Sequence, residues 1–126
     1  MDDALSTFAS QDSRSVTVKT RDGMVKLDTE HITYAELCQR CVVYHMLNGT
    51  EVESVTIRST FSSAVAELLS DHRFTLGGTS LAVNLSCITS VENDTVHFKC
   101  GNSVYLSKKA FRDVRSKWCS FWFIDN

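Results

Sequence analysis

The sequence predicts a mainly β domain with two short helices. Three observations carry this: apolar and polar residues alternate over short runs, turn-forming dipeptides separate those runs, and only two segments show helical spacing. Residues 1–14, rich in Ser, Asp and Ala, read as a leader or linker remnant, and 15–126 as one domain. The first alternating run, residues 15–20, meets the hairpin-turn residues Asp22-Gly23 and returns over 24–27. Residues 32–36 form another short strand. Residues 42–47 then lead into Asn48-Gly49, the strongest short-range hairpin signal in the chain. In the return run, 51–57, Val52 is out of step with Val55 and Ile57, which predicts a bulge or a change of face. Later strands are predicted over 87–91 and 95–100, joined at Asn93-Asp94, and over 103–106 after Gly101-Asn102.

Two segments break that rhythm. Over 60–69, Phe61, Val65, Leu68 and Leu69 fall on one helical face, with Ser59 or Thr60 as N-cap. Over 107–118, Ser107 is a natural N-cap and Phe111, Val114 and Trp118 make the buried stripe. Lys108, Lys109, Arg112 and Arg115 fall largely off that stripe and can face outward together.

A chain of 126 residues with 43% hydrophobic and 22% charged residues has the makings of one folded domain, not a disordered tail. No apolar run reaches the ~18 residues a spanning helix needs, so no membrane is expected among its partners. The acidic start, Met1-Asp2-Asp3, lacks the apolar stretch of a signal peptide, and the expected location is the cytoplasm. Net charge is −2, yet residues 99–118 hold six of the thirteen basic side chains against one acid. Screening beyond ~8–10 Å lets such a patch bind phosphates on an acidic body. A solvated helix face is the plainer account of the same residues.

Enzyme signatures are missing. There is no nucleophile elbow, no P-loop lysine and no helical His-Glu-x-x-His, and the chain reads as a non-enzyme without metal or cofactor. Gly77-Gly78-Thr79-Ser80 could offer N–H groups to a phosphate, although a flexible loop is the commoner meaning. His45 and His97 lie in strand patterns, which suits a hydrogen-bonded structural role. Five cysteines without framework spacing read as reduced, mostly buried thiols. The pair Cys38-Gln39-Arg40-Cys41 allows zinc, redox or plain packing, and packing is favoured because no further ligands stand at comparable spacing.

The order of these elements resembles the LytTR family, the DNA-binding output domain of many bacterial response regulators. The resemblance runs from about Ser15 to Phe123. Ile32-Thr33-Tyr34-Ala35-Glu36 looks like the family's Ile-x-Tyr/Phe-x-Glu strand. Ser80-Leu81-Ala82-Val83-Asn84 with Ile88 is similar to its most specific signature, and Leu106-Ser107-Lys108 to the end of its last strand. The resemblance implies an elongated set of small antiparallel sheets with short helices at their margins. It also implies binding of direct-repeat duplex DNA through loops in the major groove. The implied contact regions are 37–41, 77–80 and 107–109, hence Arg40, Thr79, Ser80, Lys108 and Lys109, with Arg112 and Arg115 supporting phosphate contacts.

Where family members commonly carry Arg, His and a further polar side chain, this chain reads Thr75-Leu76-Gly77-Gly78-Thr79. Threonine cannot make the bidentate purine contacts of Arg or Asn, each of which gives ~1–3 kcal/mol of discrimination. Two expectations follow. One is a cytoplasmic bacterial transcription regulator, with a second copy on DNA or a receiver domain as further partners. The other is a protein-interaction module that keeps the fold and has lost base readout. The second draws on the apolar run 118–124 as a docking surface, for which packing of the last helix is the simpler account. The chain is either the output domain of a longer regulator, with 1–14 as its linker, or acts alone.

Overall fold

The computed structural model describes residues 14–123. Nearly all of the leader and the end of the apolar tail, residues 1–13 and 124–126, lie outside them. Strands β1 (Ser15–Thr20) and β2 (Gly23–Asp28) form a two-stranded hairpin with Thr20 paired to Gly23, as the Asp22-Gly23 turn requires. Strands β3 (Ile32–Cys38), β4 (Cys41–Met46), β5 (Glu51–Glu53), β6 (Phe74–Leu76) and β7 (Leu81–Asn84) build an antiparallel sheet of order β5-β4-β3-β7-β6. Strands β8 (Ile88–Glu92), β9 (Thr95–Phe98) and β10 (Ser103–Tyr105) make a meander of order β10-β9-β8.

The predicted helix over 60–69 is two short turns, α1 (Phe61–Ala64) and α2 (Ala66–Leu69), split at Val65 with φ −106° and ψ 19°. Thr60 is the cap: its Oγ1 accepts from the Ser63 N–H at 3.2 Å. The last helix, α3 (Lys108–Phe123), extends past the predicted end at Trp118, and Phe121 packs with the second core.

The central strands separate two cores. Tyr34 pairs with Val83 and Ala35 with Ala82, so consecutive residues of β3 and β7 face opposite sides. Ala35 and Ala82 join Val16, Ile32, Phe61 and Leu68 in one core. Tyr34 and Val83 join Phe98, Leu106 and Val114 in the other. A strand buried on both faces reads as a continuous apolar run rather than an alternating one. That accounts for the Leu81-Ala82-Val83 run, and for the absence of a period-2 signal there.

The run 51–57 does not remain a strand. Ser54 Oγ accepts the Val42 N–H at 2.9 Å and donates to the Val55 carbonyl at 2.7 Å. The chain then leaves the sheet and bonds the Lys19 carbonyl through Val55 N–H and the Arg40 carbonyl through Ile57 N–H. The expectation of mostly buried cysteines also needs correction. Only Cys87 is buried; Cys41 and Cys100 are half-buried, and Cys38 and Cys119 are exposed.

Candidate nucleic-acid interface

A cleft of about 500 Å³ opens between the β6–β7 loop, β10 and the start of α3. Thr79 and Ser80 form one wall, Ser103, Tyr105 and Ser107 another, and Glu36 and Leu37 its floor on β3. The backbone holds the walls in place. The Leu37 N–H donates to the Ser80 carbonyl at 2.9 Å, and the Gly77 N–H to the Leu81 carbonyl at 2.7 Å.

Gly77 explains how the loop reaches the helix. It is buried, and a Cβ there would stand 3.2 Å from Leu81 Cδ2 and 3.3 Å from Val114 Cγ2. The missing side chain lets the β6–β7 loop lie against α3. Since the Gly77 N–H is already bonded, close packing accounts for this glycine better than a phosphate nest does.

Ser107 caps α3 as predicted: its Oγ accepts from the Ala110 N–H at 3.2 Å and its carbonyl from the Phe111 N–H at 2.8 Å. Val114 is fully buried, which sets the rotation of the helix. Lys108, Lys109, Arg112 and Arg115 are all exposed, but they do not act as one set. Lys108 Nζ lies 3.3 Å from Asp94 Oδ2 in the β8–β9 turn. That turn places both Asn93 and Asp94 at positive φ, and the Asp94 carbonyl accepts the Leu106 N–H at 2.8 Å. Lys109, Arg112 and Arg115 share the outer side of α3 with Asp113, Ser116 and Cys119.

Arg40 sits apart from the cleft. Gln39 and Arg40, at φ 51° and 71°, are the whole of the two-residue β3–β4 turn, where the sequence resemblance implied a longer contact loop. The structure therefore gathers Thr79, Ser80 and the start of α3 into one cleft and leaves Arg40 at a hairpin tip.

Sequence reasoning missed Tyr105, which is 77% exposed and lines the cleft. The signal was there: in the run 103–106, Tyr105 points away from Val104 and Leu106, the residues that pack inward. Beneath the cleft, Glu36 Oε2 meets His45 Nε2 at 2.5 Å, and His45 stacks on Tyr34 at 4.2 Å between ring centroids. His97 Nδ1 lies 2.7 Å from Ser103 Oγ, so both strand histidines are held by side chains of their own sheets.

Among the described residues no helix is long and apolar enough to cross a membrane, and no cluster of three His, Cys, Asp or Glu side chains could hold a metal ion. No family model and no curated protein matches the sequence. Among solved structures, the chain is similar to the LytTr DNA-binding domain of a Bacillus cereus protein described as a methyl-accepting/DNA response regulator. The TM-score is 0.63 at 21% identity, over 82% of this chain and 94% of that one. With three small antiparallel sheets and helices at their margins, the chain has the LytTR-type fold.

Proposed function

We propose that residues 15–126 bind duplex DNA as the DNA-binding domain of a bacterial transcription regulator acting in the cytoplasm, with 1–14 as a leader or linker remnant. The carrying observation is the cleft that joins the 77–80 loop to the start of α3, beside the exposed row Lys109, Arg112 and Arg115. That arrangement stands on a fold shared with a LytTr DNA-binding domain. Thr79 and Ser80 meet the groove edge with single hydrogen bonds, Lys109, Arg112 and Arg115 take phosphates, and Arg40 adds a flanking cation. Direct-repeat sites filled by two copies follow from the resemblance.

Lys108 contributes less, because Asp94 already engages its ammonium group. Alanine at Lys109 and Arg112 together is expected to weaken binding about tenfold at low salt and to flatten the salt dependence by about two units of slope. Lys108→Ala changes affinity less than either single substitution. Asp94→Asn, which removes the negative charge facing Lys108 and keeps a side chain that tolerates the positive φ, strengthens binding. Fluorescence anisotropy on duplexes selected from a random pool, titrated with salt beside a scrambled control, checks all three. Equal binding of selected and scrambled duplexes, or none, would instead support the interaction module that has lost base readout.

A further inference from the structure

We propose that Cys38 and Cys41 are a reversible dithiol–disulfide site at the tip of the β3–β4 hairpin, with low-molecular-weight disulfides such as oxidised glutathione as the oxidant. The two residues are direct cross-strand partners on either side of the Gln39-Arg40 turn. Directly opposed residues of an antiparallel pair point to the same face. Cys38 and Cys41 therefore share the face of Glu36 and Val43, two residues along from the cleft floor.

The hydrogen-bond pattern sets their spacing. In the neighbouring pair, Leu37 and Val42, both N–H groups point outward: Leu37 to the Ser80 carbonyl and Val42 to Ser54 Oγ. Leu37–Val42 is thus a non-hydrogen-bonded pair, and by alternation Cys38–Cys41 is a hydrogen-bonded one. Such pairs have Cα atoms about 5.5 Å apart, inside the ~4.4–6.8 Å window that a disulfide spans. The turn is already closed, and the Arg40 carbonyl is held by the Ile57 N–H at 2.8 Å. Bond formation therefore needs only a local approach, from the ~5.5 Å between Cβ atoms of such a pair to the ~3.5–4.5 Å of a disulfide, and that approach strains the bond.

Pairing, not access alone, distinguishes these two thiols. Cys38 is exposed and Cys41 half-buried, and they oppose one another. Cys87 is buried, while half-buried Cys100 and exposed Cys119 stand outside the strand pairs. The Cys38 thiolate attacks one sulfur of the oxidant, forming a mixed disulfide and releasing one thiol. Cys41 then attacks Cys38 Sγ and expels the second thiol. One S–S bond forms and one breaks, and two electrons and two protons pass from the cysteine pair to the oxidant. An exposed disulfide in so small a ring is readily reduced, which makes the step reversible. None of this depends on DNA binding.

Trypsin provides a direct assay, because it cuts after Arg40, between the two cysteines. The reduced full chain is equilibrated across mixtures of reduced and oxidised glutathione, its remaining thiols are alkylated, and it is digested. The expected result is one species that joins peptides 27–40 and 41–58, from chains that run as monomers on a denaturing gel without reductant, and that separates on reduction. Cys38→Ser and Cys41→Ser each abolish it, and Cys119→Ser leaves it in place. Glutathione adducts with no linked peptide, a link between two chains, or no change across the range would overturn the proposal.

Discussion

Replacing Asp71 with alanine is expected to destabilise the domain by about 3 kcal/mol at neutral pH, the low end for one partner of a buried ion pair. Asp71 is 2% exposed and accepts from Thr29 Oγ1 at 2.7 Å, Arg73 Nε at 3.1 Å, Arg73 Nη2 at 3.0 Å and the Arg73 N–H at 3.0 Å. These bonds tie the turn after β2 to the loop before β6. Alanine leaves the mostly buried Arg73 guanidinium without its carboxylate, and leaves the buried Thr29 hydroxyl only the Arg14 carbonyl at 3.2 Å and Arg73 Nη2 at 3.5 Å.

The same contacts make the loss depend on pH. Burial alone would push the Asp71 carboxyl up, but the hydrogen bonds from Arg73 and Thr29, with the guanidinium charge, outweigh it and hold the pKa at about 2, below the ordinary 3.8. The folded-state value is depressed, so the stabilisation is complete above the unfolded pKa and disappears as pH falls through the folded one. About 2 kcal/mol is therefore present above pH ~5 and lost on acidification toward pH 2. Urea unfolding of wild type and Asp71→Ala at pH 7 and near pH 2 checks this: the gap between them should narrow by about that amount. A gap that does not change with pH would mean that the carboxylate's charge is not what the native state uses.

Asn84→Ala is the second large loss, about 2–3 kcal/mol, because it strands buried polar groups on two elements at once. Asn84 is fully buried at the end of β7. Its Nδ2 donates to the Ile32 carbonyl at 2.9 Å, which crosses to the β3 edge of the bulge at Thr33. Its Oδ1 accepts from the Ser86 N–H at 2.9 Å and the Ser86 hydroxyl at 2.6 Å, capping the turn that leads into β8. Asn84, which closes the Ser80–Asn84 stretch of the sequence resemblance, is thus a structural joint between the five-stranded sheet and the meander. A fall in the urea midpoint with an unchanged m-value is the expected signature. A DNA-binding defect without a stability defect would give Asn84 a different role.

These two sites show where sequence reading stops. The features that proved legible act over a few residues. Asp22-Gly23 and Asn93-Asp94 make tight hairpins because their turns need backbone conformations those residues tolerate, and Thr60 and Ser107 cap helices by reaching their own next turn. The stripe of Val114 and Trp118, and the basic residues off it, follow from helix periodicity alone. Asn48-Gly49 marked a reversal correctly, although it lies within a four-residue loop between β4 and β5.

What the sequence did not disclose depends on partners distant along the chain. The strand β6 was not anticipated, because three residues carry too little pattern and their pairing with β7 supplies the order. The run 51–57 had strand composition, but Ser54 takes the ladder position with its side chain and turns the chain away. Asp94 and Lys108 meet across fourteen residues, which divides a basic helix that looked uniform. The local code of turns, caps and periodicity thus determined the class of the domain and the outward face of its last helix. Tertiary packing decided which polar groups meet: a hydrogen bond or ion pair between distant residues forms only where the two cores set them side by side.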